Sequence, residues 1–493
     1  MERRESDYRI VSMKRGNACG EKAGNTTSTL KGTHSPHTEV EVPIHRDGDR
    51  METKLARIAQ IARERTNEKF TALAHLLNEE MLKACHKEME VGKASGIDEM
   101  TKAEYEENLD ENVTDLVARL KRKAYHPQPA RRTYIPKEGT DKMRPLGIPA
   151  YEDKLVQAGL TKIMNAIYEV DFISCSFGFR PGRSQHDALK VLNHIVESKK
   201  VSYIVDADIT GFFDHVDHEW IMKFLGHRIA DPSIHRIIKR ILKAGYMEEG
   251  KKYATEEGTP QGGVISPLLA NVYLHYVLDL WFDKRVKRQC RGEAYMVRFA
   301  DDFVCCFQYR DDAENFYREL QKRLQEFNLT ISAEKSKIIA FGRFAQERSA
   351  KEGKNKPDTF NFLGFTHYCS KSRTGKFRVK RKTSRKKFRS AVVRMDSFLA
   401  KERNRLPIWE LVKKVRIKLQ GHYNYYGITD NYRQMGDFRD KTVRLMFKWL
   451  NRRSQRKSFT WDKFSLFLER CNLPRPKISV NIWDVRLVYK LTV

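Results

Sequence analysis

Two acidic islands set inside apolar, strand-like runs constrain this chain more than any other feature. Along Ser202-Tyr-Ile-Val-Asp-Ala-Asp-Ile209, side chains alternate between faces, so Asp206 and Asp208 project from the same one. Phe212, Phe213 and Asp214 follow at once. Further on, Tyr295-Met-Val-Arg-Phe-Ala-Asp-Asp-Phe-Val-Cys-Cys-Phe307 places Asp301 and Asp302 between two apolar runs, as at the tip of a β-hairpin. An isolated Asp-Asp is commonly a solvated turn. Here the flanking runs read as buried strands, and a second acidic strand lies upstream. Clustered carboxylates resist joint ionisation unless a cation offsets them. Oxygen-only donors without neighbouring His or Cys suit Mg²⁺. A pair of such ions activates a hydroxyl and stabilises departing pyrophosphate in an in-line displacement.

Charge narrows the substrate. The chain carries 93 Lys+Arg against 64 Asp+Glu, a net charge of +29, which points to a polyanionic partner. Metal-assisted displacement on a polyanion is nucleotidyl transfer. A membrane is disfavoured, because no stretch approaches the roughly 18–20 apolar residues that span a bilayer. The first fifty residues lack an apolar signal core and hold acids such as Glu2, Glu5 and Asp7. The eight cysteines form no C-x-x-C pair, so neither a zinc module nor a disulfide framework is indicated. A reducing, cytoplasmic setting fits this usage.

The expected organisation is a polar tail over 1–50 followed by helices from Met51. Two extended segments joined by a basic turn are expected across 134–149, then helices after Glu152 and over Asp187–Ser198. The chain beyond about residue 380 reads as entirely helical. Thr259-Pro-Gln-Gly-Gly-Val-Ile-Ser-Pro-Leu-Leu-Ala-Asn271 is a Gly-rich loop running into a helix, with Ser266 suited to the N-cap and Pro267 to the first turn.

Taken in order, these motifs form a family pattern. Ile-Pro-Lys…Arg-Pro-Leu-Gly-Ile-Pro (135–149), Ser176-Phe-Gly-Phe-Arg-Pro-Gly-Arg-Ser184, Val-Asp-Ala-Asp-Ile-x-x-Phe-Phe-Asp (205–214), Gly-Thr-Pro-Gln-Gly-Gly (258–263) and Arg-Phe-Ala-Asp-Asp (298–302) come in sequence. Glu334-Lys-Ser-Lys337 and Phe362-Leu-Gly-Phe365 follow them. Over about residues 55–480 the chain resembles bacterial group II intron-encoded reverse transcriptase/maturases.

The resemblance implies an α+β right-hand polymerase: fingers, a palm with a ferredoxin-like antiparallel sheet, and a helical thumb called maturase domain X. N-terminal extension and fingers would span 51–185, the palm 186–370 and the thumb 371–457, with a short basic DNA-binding-like remnant over 458–493. It implies an RNA-directed DNA polymerase, a nucleotidyltransferase with Asp208, Asp301 and Asp302 as catalytic metal ligands. Two Mg²⁺ ions would be held, with Mn²⁺ a possible substitute. Asp206 is the fallback for Asp208. Lys137, Arg144, Phe213, Gln261 and Gly262 would border the incoming nucleotide, with Phe213 as the gate against a ribose 2′-hydroxyl. Arg180, Arg183 and Lys337 would hold template or primer; for Arg180 and Arg183 the other reading is a loop-stabilising ion pair. The partners implied are intron RNA, an RNA template with a DNA or RNA primer, dNTPs and target DNA. The chain departs from the family's Tyr-Ala-Asp-Asp at Phe299. No Cys/His-rich nuclease module follows Pro474, so a primer from elsewhere is expected during retrohoming.

The basic run that includes Lys380, Arg381, Lys382, Arg385, Lys386 and Lys387 is too lopsided for ordinary Glu–Lys pairing and reads as tracking RNA phosphates. Tyr423, Tyr425 and Tyr426 either stack on unpaired bases or pack in the helical core. Two other functions stay open: a splicing maturase with little polymerase activity, and a domesticated reverse transcriptase in defence or repair.

Overall fold

A computed structural model describes residues 48–136, 143–259, 261–454 and 459–484. Lys137, the basic turn around it and nearly all of the 1–50 tail lie outside these residues. The structure is organised by the strand that carries the first acidic island, β3 (Tyr203–Asp208). Among the described residues, eleven strands, β1–β11 in chain order, make up three sheets.

The palm sheet runs β6 (Ala294–Phe299), β7 (Asp302–Phe307), β3, β8 (Lys337–Ala340), antiparallel throughout. In chain order that arrangement is the ferredoxin-like one expected. Both faces are covered. Val205, Ala207, Phe303, Cys305 and Phe307 join one core with the helix Tyr151–Asp171. Ile204, Val304, Cys306 and Val297 join a second core. Double coverage explains why the strands read as nearly continuous apolar runs.

The fingers sheet has the order β2 (Met143–Ile148), β1 (Ala130–Pro136), β4 (Tyr246–Glu248), β5 (Lys251–Tyr253). β1 and β2 are the two extended segments anticipated. β4 comes from the stretch assigned to the palm and pairs in parallel with β1, so the fingers close only with palm residues.

A third sheet, β9 (Phe360–Phe362), β10 (Phe365–Lys371) and β11 (Phe377–Thr383), packs on the second core of the palm. The expectation of an entirely helical chain after about 380 is therefore corrected. Strand β11 continues through Thr383 because Val379, Arg381 and Thr383 alternate inward, Val379 into the palm's second core, Arg381 onto Asn193 and Thr383 onto Asn431. The helices Arg385–Glu402, Ile408–Tyr426, Tyr432–Leu450 and Trp461–Cys471 follow and share a separate core. Among the described residues, no helix is long and apolar enough to cross a membrane.

Candidate active site

Register brings the two acidic islands together. Asp208 at the end of β3 lies opposite Asp302 at the start of β7, and Asp302 in turn faces Phe299 on β6. Asp301 occupies the intervening turn, which Ala300 enters in the left-handed region at φ 58°. Asp206 faces Val304 two pairs deeper, with Lys337 as its partner on β8.

The turn rests on a buried polar scaffold that sequence reading did not single out. Arg298 is fully buried and donates to Asp279 at 2.7 and 2.5 Å, to Asn271 at 3.0 Å and to Ser176 Oγ at 2.8 Å. The same guanidinium donates at 2.9 Å to the carbonyl of Ala300, the residue before the aspartate pair. Asp279 ends a π-helical turn, His275–Asp279, in the helix that begins at Ser266. The Ser-Phe-Gly-Phe loop presses on the same hairpin. A Cβ on Gly178 would sit 2.3 Å from the Ala300 amide, so only glycine permits this approach. The available signal was a lone arginine inside an apolar run: a buried cation requires a partner.

Electrostatics follow from this burial. Burial, then the nearby Asp206 and Asp301, pushes the Asp302 carboxyl up to about 7, against the pull of a hydrogen bond from the Leu363 backbone. Burial likewise raises Asp301, with Arg144 and Arg298 opposing. Asp206 is raised to about 6, again mainly by burial, while Lys337 holds it down. The ammonium of Lys335 lies 2.5 Å from Asp208 Oδ2. The lysine touching Asp208 is thus Lys335, whereas Lys337 sits two residues further on, paired with Asp206.

The donor set fits a hard divalent cation: carboxylate oxygens only, mutually repelling, on adjacent strand ends. Among the described residues, no three His, Cys, Asp or Glu side chains converge at ligating distance as they stand, and Asp208 is charge-paired to Lys335.

Around the carboxylates, Phe213 is half-buried in the turn Phe212–Asp214, which follows Gly211 in the left-handed region. Its carbonyl accepts from the Thr259 amide at 2.8 Å. Gln261 donates to Asp214 at 2.8 Å, and its carbonyl accepts from Gly147 of β2 at 2.6 Å. Gly262 has φ 111°, and a Cβ there would meet the Gly147 carbonyl at 2.7 Å. Phe213, Gln261 and Gly262 therefore lie where palm meets fingers, beside exposed Arg144. The helix expected to be capped by Ser266 instead starts at Ser266, with Ile265 before it. The Val264 and Ile265 amides, just before the helix, donate to Gln157 Oε1, so a side chain from the helix Tyr151–Asp171 anchors the entry to it.

Two basic residues are corrected. Arg180 is buried and occupied by Glu169 at 3.0 Å and by the carbonyls of Ile173 and Ser176, so it holds the loop and has no free face for template. Arg381 is fully buried in β11, donating to Asn193 and to the Val379 carbonyl at 2.8 Å, so it is not part of an RNA-facing strip. Arg183 is intermediate: it donates to the Ser174 and Ser176 carbonyls at 3.0 and 2.8 Å while keeping partial exposure. Lys380 is half-buried and Lys382 exposed on β11; Arg385 and Lys386 are exposed on the first thumb helix, and Lys387 is half-buried. Tyr423 packs in the thumb core, whereas Tyr425 and Tyr426 are only partly covered.

A ferredoxin-like sheet with carboxylates at its central strand ends, flanked by a fingers sheet and a helical thumb, is the palm of a right-hand polymerase. Residues 135–367 match the family model described as reverse transcriptase (RNA-dependent DNA polymerase). The chain is 34% identical over 310 residues to the group II intron-encoded protein LtrA of Lactococcus lactis subsp. cremoris, covering 59% of this chain and 50% of that protein. It is 31% identical over 338 residues to protein YkfC of Escherichia coli K12, covering 62% of this chain and 84% of that one. Nuclear intron maturase 1, mitochondrial, of Arabidopsis thaliana is 28% identical over 116 residues, which is 23% of this chain and 16% of that protein. This chain belongs to the reverse transcriptase family. It spans about half the length of LtrA.

Proposed function

We propose that this chain is the RNA-directed DNA polymerase of a group II intron, copying intron RNA into DNA for retrohoming and binding that RNA to assist splicing. The observation that carries the reading is the register of Asp208 against Asp302, with Asp301 in the turn locked by Arg298. Asp208, Asp301 and Asp302 would hold two Mg²⁺ ions, with Mn²⁺ a substitute. When bound, such ions supply activation of the primer 3′-hydroxyl and stabilisation of the leaving pyrophosphate. The chain's own residues do the rest. Arg144 offers a cation to the triphosphate of a dNTP. Phe213 walls the sugar against a 2′-hydroxyl. The Gln261–Gly262 backbone, held against Gly147, borders the base and template. Arg183 and Lys337 contact template or primer, and Lys380, Lys382, Arg385, Lys386 and Lys387 contact RNA phosphates. Target DNA is the destination of the copied strand, and the setting is the RNA-associated bacterial cytoplasm.

Purified protein given an RNA template, a DNA primer, dNTPs and Mg²⁺ should extend the primer. Asp301→Ala/Asp302→Ala should lower extension by about 10³-fold or more, because lost metal ligands forfeit several kcal/mol. Undiminished extension would reject the site. A splicing maturase with an idle polymerase is the second reading, motivated by Phe299 in place of tyrosine together with the exposed cations of the thumb. Splicing stimulated by protein that incorporates no dNTP would establish it.

A further inference from the structure

The chain that runs beside the first acidic island does not pair with it evenly. Asp206 pairs with Lys337 of β8 and Ile209 bridges Ile331, so the five residues 332–336 stand against only Ala207 and Asp208. The surplus forms a turn over Asp208, and both backbone groups of that aspartate hold it. The Asp208 carbonyl accepts from the Ser332 amide at 2.9 Å, and the Asp208 amide donates to Ser336 Oγ at 3.2 Å. Within the turn, the Lys335 and Ser336 amides donate to the Ser332 carbonyl at 3.2 and 2.9 Å. Extra residues beside a strand re-aim a side chain. Here that side chain is Lys335, whose Nζ reaches Asp208 Oδ2 at 2.5 Å.

An exposed ion pair between two free side chains contributes little. This pair differs in two respects. The lysine's backbone is fastened to the very residue its ammonium contacts, so less freedom is lost in forming it. The surroundings also call for a cation: the charges of Asp206, Asp208 and Asp301 all bear unfavourably on Asp302, and that of Asp208 on Asp301. Lys335 supplies one positive charge in direct contact with this group. A divalent cation held by the same carboxylate would be repelled by that ammonium, so each weakens the other's hold on Asp208.

We propose that Lys335 is a built-in counter-ion of the candidate metal site, competing with a divalent cation for Asp208 and giving way when that cation binds. Lys335 is thus a positioning residue: it acts through Asp208, keeping that carboxylate aimed, and it sets how much metal the site requires. Lys337, two residues on and paired with Asp206, does not share the role, because the turn delivers Lys335 alone to Asp208 Oδ2. The inference rests on the assignment of Asp208 as a metal ligand and adds the group that opposes the metal there.

The test titrates the full chain with Mn²⁺, without nucleic acid or dNTP, and reads free Mn²⁺ by its EPR signal. Lys335→Met, which keeps the stem and removes the charge, should tighten Mn²⁺ binding by roughly fivefold, the scale of an exposed ion pair given up. The rise in melting temperature on adding Mn²⁺ should grow accordingly. Lys335→Arg, which keeps a cation in the turn, should stay within about twofold of the parent protein. Lys337→Met removes a cation of the same neighbourhood and should tighten binding by clearly less than Lys335→Met. Unchanged Mn²⁺ affinity in Lys335→Met would overturn the proposal. So would an equal gain in Lys337→Met, which would reduce the effect to a diffuse field, or an equal gain in Lys335→Arg, which would detach it from charge. Asp208→Asn checks the underlying assignment separately and should weaken Mn²⁺ binding. Weakened binding there, with no response in Lys335→Met, rejects the counter-ion alone; full binding in Asp208→Asn rejects the ligand assignment on which it rests.

Discussion

The palm tip and the thumb use the same residue types in opposite ways. At the palm tip, Arg298 has no solvent exposure and directs its hydrogen bonds to Asp279, Asn271, Ser176 and the Ala300 carbonyl. On the thumb, Arg385, Lys386 and Arg389 are exposed along one helix. Arg381 belongs to the thumb's basic run in sequence and to the palm's pattern in structure. A buried cation fixes geometry, because its desolvation is offset only by well-placed partners. An exposed cation fixes little inside the protein and remains available to a phosphate. The net charge of +29 therefore divides into an internal share that shapes the site and an external share that stays open to solvent.

Substitutions on the two sides should separate stability from binding. The largest effect is expected for Arg298→Met, which strands Asp279 in the core and should destabilise the fold by about 3–5 kcal/mol in urea denaturation. A loss no larger than that of an exposed arginine would break the distinction. Next comes Gly178→Ala. Its Cβ would collide with the Ala300 amide, so it should cost about 1–3 kcal/mol and depress primer extension by more than its stability loss accounts for.

At the palm, a pH effect tied to the metal site should appear. Asp302 is raised to about 7 from the roughly 4 of a free carboxyl, so the folded state holds a proton that the unfolded chain has already released. Metal-free protein should thus lose stability as pH rises from about 4 through about 7, and Asp302→Asn should flatten that slope in thermal melts. Added Mg²⁺ should restore more stability at pH 8 than at pH 5, where protons compete for the carboxylates. An equal Mg²⁺ effect at both pH values would detach the titration from the metal site.

The smallest effect on the fold is expected on the thumb. Arg385→Gln/Lys386→Gln should change stability by no more than about 0.5 kcal/mol per site. The same variant should weaken RNA binding and lower the slope of log affinity against log salt by about 1 for each phosphate that is no longer neutralised. An unchanged salt slope would place the RNA elsewhere.

Much of the palm was legible because strands declare themselves locally. Alternation predicts that Asp206 and Asp208 share a face, and apolar runs on both sides of Asp301-Asp302 predict a hairpin. The capping box at Ser184 and Asp187 likewise marks the helix Gln185–Ser198 from its own residues. The fingers sheet was less legible, since β4 reaches β1 across more than a hundred residues of chain. Lys335 and Lys337 are equivalent as letters, and only the bend of the chain after Ile331 decides which reaches Asp208.

By itself, the sequence determined the order of motifs, the paired carboxylates, the excess of cations and hence the kind of chemistry, because these depend on neighbours a few residues away. Tertiary structure alone decided which arginines are internal. The partners of Arg180, Arg298 and Arg381 are Glu169, Asp279 and Asn193, and no local pattern ties each to its cation. Burial is a property of what packs from elsewhere in the chain, and it is burial that turns a positive charge from one open to a phosphate into a pin for the fold.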